Sequence, residues 1–147
     1  MATFNKLNGF VEHLSEGVHN LGSDQLVIAL SNTAPAAEAT NPNGSTAACV
    51  LANVTQVAYT NLSTRNITTS TSAQTSGTYK LTLTDLVLTS SGGSTGPFRY
   101  IYIYNDTSTS PADPLIGYYD YGSALTLNDS ETLTIDFDDT NGVLQLA

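Results

Sequence analysis

The chain has no tryptophan, one methionine, one cysteine and only four basic residues, Lys6, Arg65, Lys80 and Arg99. A lone cysteine cannot close an internal disulfide, so no disulfide framework holds this fold. Charged residues make up 12% of the chain and thirteen of them are acidic, giving a net charge of −9. That balance disfavours counterion-driven binding to nucleic acid and contact with an anionic membrane surface. Apolar stretches all fall well short of the roughly 20 residues a membrane-spanning helix needs. The start Met1-Ala-Thr-Phe-Asn-Lys6 lacks the basic segment and apolar run of a secretory signal. We therefore expect synthesis in a cytoplasm, no membrane partner and no nucleic-acid partner.

With so few charges, the polar surface must be built from Ser, Thr, Asn and Gln, residues suited to strands and turns. A chain of 147 residues can bury roughly 68–70% of its unfolded surface, enough for one ordinary core. The expectation is one domain over residues 1–147.

Leu7, Phe10, Val11, Leu14 and Val18 recur at helical spacing and predict an N-terminal helix over about 5–21, with Gly22 as its terminator. Leu26, Ile28 and Leu30 alternate and predict a first strand within 24–31. Residues 32–47 carry Pro35, Pro42, Asn43 and Gly44 without periodicity and read as an exposed loop or arm. The stretch 50–59 fits a short helix or a strand equally well.

Strands are expected at 67–72 and 77–85, the latter alternating Tyr79, Leu81 and Leu83 and extending through 86–89. A loop follows at 90–97. Phe98-Arg-Tyr-Ile-Tyr-Ile-Tyr104 is the strongest strand signal, apolar or aromatic on both faces, which places it inside a sheet. After a turn at 105–114, Leu115–Tyr121 should return as its antiparallel neighbour, followed by short strands at 124–127, 132–137 and 143–146. Short strands separated by turn residues indicate a mostly β fold: an antiparallel β-sandwich or jelly-roll-like domain, built from 24–31 and 50–147, with one N-terminal α-helix.

Candidate chemistry is sparse. Cys49 sits among small apolar residues with no base nearby in sequence and reads as a buried, inert thiol. His13 and His19, six residues apart on the expected helix, point to different faces and read as surface or helix-end residues. Asp136, Asp138 and Asp139, with Asn141 and Gly142, resemble a calcium loop, but Thr140 occupies a ligand position and no closing Glu follows; a hairpin turn accounts for them. Asp106, Asp113, Asp120 and Glu131 could supply a carboxylate pair for glycoside hydrolysis. Neither histidine falls in a recognisable nucleophile arrangement with a serine, and no Gly-Lys-Ser/Thr phosphate loop occurs. The triplets at Asn43, Asn53, Asn61, Asn66, Asn105 and Asn128 match the glycosylation pattern, as chance predicts in a chain rich in Asn, Ser and Thr. No cofactor is expected, and the chain is expected not to be an enzyme. The distinctive feature is the tyrosine set Tyr100, Tyr102, Tyr104, Tyr118, Tyr119 and Tyr121. These rings suit core and cross-strand packing, or a flat face for docking an identical or different subunit.

Several segments carry a family resemblance: Ala2-Thr-Phe-Asn-Lys-Leu-Asn-Gly-Phe-Val-Glu12, Val18-His-Asn-Leu-Gly-Ser-Asp-Gln-Leu26, Ser31-Asn-Thr-Ala-Pro35 and Ser72-Ala-Gln-Thr-Ser-Gly-Thr-Tyr-Lys-Leu81. They continue with Gly96-Pro-Phe-Arg-Tyr100, Tyr104-Asn-Asp-Thr107, Pro114-Leu-Ile-Gly-Tyr-Tyr-Asp-Tyr-Gly-Ser123 and Ile135-Asp-Phe-Asp-Asp-Thr-Asn-Gly-Val-Leu144. Over nearly its whole length the chain resembles a family of small virion proteins of tailed bacteriophages. The resemblance implies a structural virion component, best fitted by a capsid decoration (cement) protein. Such a protein sits on the capsid exterior, binds the major capsid protein and forms a trimer or dimer. The alternative is a tail, neck or fibre-associated module, including one that binds a carbohydrate receptor.

Overall fold

A segment that is apolar on both faces needs cover on both faces, and the run from Phe98 to Tyr104 receives it. The computed structural model describes residues 2–35 and 41–147. Its elements are β1 (Asn5–Lys6), α1 (Asn8–Ser15), β2 (Leu26–Ser31), a 3-10 turn (Leu51–Asn53), β3 (Asn66–Ile67), β4 (Thr69–Thr75) and β5 (Thr78–Leu83). They continue with β6 (Leu86–Thr89), β7 (Thr95–Asn105), β8 (Leu115–Leu127), β9 (Thr132–Ile135) and β10 (Leu144–Leu146). The protein is mostly β, with every strand pairing antiparallel.

β7 is the middle strand of a five-stranded sheet ordered β1-β8-β7-β2-β3. A three-stranded sheet, β10-β5-β4, and a two-stranded sheet, β6-β9, complete the fold. The main core lies on one face of the large sheet: Leu26, Ile28, Leu30, Ile101, Ile103, Ile116 and Tyr119 meet Leu81, Leu83 and Leu144 of the three-stranded sheet and Leu88 and Ile135 of the two-stranded one. On the opposite face Val27, Ala29, Tyr102, Tyr104 and Leu115 form a second core with Leu7, Cys49, Leu51 and Val54. The pleat explains the split, because successive residues of β2 point to opposite faces. All six residues of β2 are buried. The layering is consistent with a β-sandwich; this strand order does not carry the jelly-roll comparison.

The helix is shorter than the sequence periodicity predicts. Gly17 takes a positive φ of 79°. Its N–H donates to the Leu14 carbonyl at 3.2 Å, while Val18 N–H donates to that of His13 at 2.8 Å. This paired closure is a Schellman motif, which favours glycine at the left-handed position. Gly17, not Gly22, therefore ends α1. Leu7 precedes the helix and belongs to the second core, and Val11 is 47% exposed.

Residues 41–47 are not a free arm: Asn43 Oδ1 accepts the Asn8 N–H at 2.7 Å, and Thr46 Oγ1 donates to Glu12 at 2.7 Å. The first of these caps an otherwise orphaned amide at the helix start. Residues 36–40 of the expected arm lie outside the described residues. The 50–59 stretch resolves into the 3-10 turn, and 86–89, rather than extending β5, leaves it to pair with β9. Asp85 marks that departure, its carboxylate accepting the Phe137 N–H at 2.9 Å. The strands expected at 115–121 and 124–127 are one element, β8, which runs through Gly122 at a φ of 92°.

Gly9 faces the 41–49 segment so closely that a Cβ there would stand 2.5 Å from Cys49 Cβ and 2.9 Å from Thr46 Cα. Gly→Ala inside a helix ordinarily stabilises by up to about 1 kcal/mol. Here the clash reverses the sign, and Gly9→Ala is expected to destabilise by about 1–3 kcal/mol through overpacking, measurable by urea unfolding.

Candidate interaction face

The pleat of β7 puts Tyr100, Tyr102 and Tyr104 on one face, and the β7–β8 register sets Tyr118 opposite Tyr102. Tyr102 and Tyr118 stand 6.0 Å apart between ring centroids, Tyr100 and Tyr118 6.4 Å, and Tyr100 and Tyr102 6.5 Å. These separations suit tilted and edge-to-face ring contacts. Burial grades the cluster from inside to outside. Tyr102 is fully buried and donates its hydroxyl to the Thr33 carbonyl at 2.6 Å. Tyr104 is buried too, whereas Tyr100 and Tyr118 are half-buried. Burial raises the hydroxyl pKa of Tyr102, Tyr104 and Tyr118, so all three stay neutral.

Tyr119, adjacent to Tyr118 and therefore on the opposite face, lies in the main core between Phe4 and Phe137 at 5.6 and 6.2 Å. Tyr121 is 47% exposed at the middle of β8. Of the six tyrosines, then, Tyr102, Tyr104 and Tyr119 serve internal packing, and Tyr100, Tyr118 and Tyr121 offer ring surface outward.

Beside Tyr100 lies the one ion pair among the described residues. Arg99 Nε and Nη2 donate to the two Asp120 oxygens at 2.7 and 2.9 Å. The Arg99 guanidinium is also 5.1 Å from the Tyr100 ring centroid. This hydrogen bonding holds the Asp120 carboxyl below its ordinary range. Two of the other cations are tied down as well: Arg65 lies 3.8 Å over the Tyr59 ring, and Lys80 donates to the Thr140 carbonyl at 2.9 Å. Tyr100, Tyr118, Arg99 and Asp120 thus lie together as a patch of aromatic and hydrogen-bonding groups on the two longest strands.

The other candidates are placed differently. Asp138 Oδ1 accepts the N–H groups of Thr140 and Asn141 at 3.0 and 2.7 Å, and Oδ2 accepts Asn141 Nδ2 at 2.9 Å. The Asn141 hydrogen bonds lower the Asp138 pKa. This is a side-chain-closed turn, but it does not join a hairpin as the sequence suggests: β9 before it pairs with β6 and β10 after it pairs with β5. Asp136 precedes the turn and Asp139 lies within it, both exposed. Among the described residues no three His, Cys, Asp or Glu side chains gather as a metal site. Cys49 is buried, and desolvation pushes its thiol up to about 11, the opposite of a nucleophile's environment.

The histidines depart most from expectation. Both are buried, and their rings meet edge to face at 6.0 Å. The chain leaves the helix at Gly17 and folds back, so the helical argument for opposed faces does not reach His19. Asn105 Nδ2 lies 3.2 Å from His19 Nδ1 and 2.6 Å from Asp24 Oδ2. His13 Nδ1 and His19 Nε2 are buried without a hydrogen-bond partner among the described residues. Desolvation is the largest cause lowering both pKa values, and it takes His19 to about 4.

No described helix is long and apolar enough to cross a membrane. Compared with known proteins, the chain matches no family model, no curated protein and no solved structure.

Proposed function

We propose that this chain is a structural, non-enzymatic component of a tailed-bacteriophage virion, most specifically a capsid decoration (cement) protein. It is made in the host cytoplasm, binds the outer surface of the head and bridges neighbouring major capsid proteins. The observation that carries the reading is the half-exposed Tyr100–Tyr118 pair flanked by the Arg99–Asp120 ion pair, set on the two longest strands of the sheet. Tyrosine and arginine on a rigid platform are the residue types that dominate docking energy at interfaces. The family resemblance of the sequence points the same way. Many copies of a modest contact suffice for a decoration protein, because neighbouring copies and oligomeric contacts add avidity. The acidic surface suits a position outside the shell, away from packaged nucleic acid.

The candidate reactive groups also favour assembly over catalysis. The Cys49 thiol is held protonated, Asp120 and Asp138 are occupied by hydrogen bonds, and both histidines are packed inside.

The test is titration of purified protein onto heads that lack it. Saturable binding in register with capsid subunits is expected, and Tyr100→Ala should weaken it at least tenfold, corresponding to about 1.4 kcal/mol. Thermal unfolding separately establishes that the variant is folded. Unchanged binding by folded Tyr100→Ala would exclude this face. Binding only to neck, tail or fibre parts, or to a glycan, would replace decoration with the tail-module reading.

A further inference from the structure

Six strands have a neighbour on one side only: β1, β3, β4, β6, β9 and β10. An exposed row of unpaired N–H and C=O groups is a template for another strand, and proteins usually guard it with charge, proline or brevity. β1, β3 and β10 contain two or three residues each. β6 and β9 contain four each, and acidic residues guard their ends: Asp85 precedes β6, and Glu131 and Asp136 bracket β9.

β4 is different. It is seven residues long, Thr-Ser-Thr-Ser-Ala-Gln-Thr, without a charge or a proline, and every residue in it is exposed or half-buried. A register shift falls between Thr69 and Thr71, but from Thr71 to Thr75 the pairing with β5 is regular, Thr71 opposite Thr82 through Thr75 opposite Thr78. The hairpin tip is a two-residue turn, Ser76 and Gly77 with φ of 51° and 86°, the type that keeps twisted strands in register.

Charge selects the occupant. In a chain of net charge −9, no acidic residue occurs between Glu38 and Asp85, while Arg65 and Lys80 both fall there. Two copies of a chain with net charge −9 repel overall; β4 is the one edge strand longer than four residues, and it brings no carboxylate of its own to such a contact. We propose that β4 is a self-association edge: two copies pair β4 antiparallel about a two-fold axis, joining their three-stranded sheets into one six-stranded sheet. In the symmetric register Ala73 faces Ala73 of the second copy, with Thr71 opposite Thr75. Cross-strand Thr and Ser pairs of this kind are favourable. The contact is isologous, so it closes as a dimer. It does not rest on the capsid reading and leaves the Tyr100–Tyr118 face free.

Sedimentation of the full chain across a concentration series tests it. The wild type should pass from monomer to dimer, with a dissociation constant on the order of micromolar for so small a contact. Ala73→Glu gains a cross-strand partner in its own hairpin, since Ala73 pairs with Lys80, yet sets like charges face to face across the axis. Ala73→Glu and Ala73→Lys should each be monomeric at concentrations where the wild type is dimeric, and an equimolar mixture of the two should restore the dimer. A wild type that stays monomeric, a dimer that persists in both variants, or a mixture that fails to associate would overturn the proposal.

Discussion

Tyr102→Ala is expected to lower the unfolding free energy by about 3–5 kcal/mol, the range for emptying a large buried aromatic site. Tyr102 is fully buried at the centre of the second core, and its neighbours are held by the sheet, so the cavity has little room to collapse. Its hydroxyl adds a separate contribution, donating to the Thr33 carbonyl. Tyr102→Phe keeps the ring and removes only that hydrogen bond, so it should cost about 1 kcal/mol. The two variants separate packing from tethering: chemical denaturation should rank them wild type, Phe, Ala. Equal costs would mean that the hydroxyl contact dominates, and the second core would then be weaker than its burial implies.

Acidification is expected to destabilise the fold in the window from about pH 6.5 down to about 4. His19 has a folded-state pKa of about 4 against an ordinary value of 6.5, and that of His13 is also lowered. Within this window the unfolded chain binds protons that the folded chain refuses, so stability rises with pH and is lost as pH falls. At about 1.4 kcal/mol per pKa unit, His19 alone accounts for about 3 kcal/mol. The groups facing the pair set the size of the effect. Desolvation and the proximity of the two rings oppose protonation, Asp24 favours it at His19, and Glu12 and Glu16 favour it at His13. Asp120 and Asp138, whose pKa values are lowered from 3.8, contribute only at more acidic pH. Thermal unfolding between pH 7 and 4 should show a falling midpoint that flattens in His19→Gln. An equally steep loss in that variant would assign the effect to other groups.

How far the sequence carried depended on whether a pattern was local. Alternation of Leu26, Ile28 and Leu30, and the two-faced run from Phe98 to Tyr104, are properties of single strands, and they gave β2 and the central position of β7 directly. The helix was overextended because Val18 and Leu21 continue its spacing, although they follow the Gly17 closure; in a short helix one glycine outweighs periodicity. The neighbouring positions of Tyr118 and Tyr119 already required opposite faces of one strand. What no local pattern showed was that the 49–54 segment covers Tyr102 and Tyr104, because a loop contributing Cys49, Leu51 and Val54 to a core has no period. The same holds for the meeting of His13 and His19, created by a chain reversal, and for the separation of Leu86–Thr89 into its own sheet.

The most direct test of the capsid-decoration reading is cryo-electron microscopy of the intact particle, with the copy number of this chain determined alongside. That reading predicts density repeated across the outer shell in register with the capsid lattice, with the Tyr100–Tyr118 face toward the major capsid protein. Density confined to the neck, tail or fibres, or no copy of the chain in the particle, would contradict it.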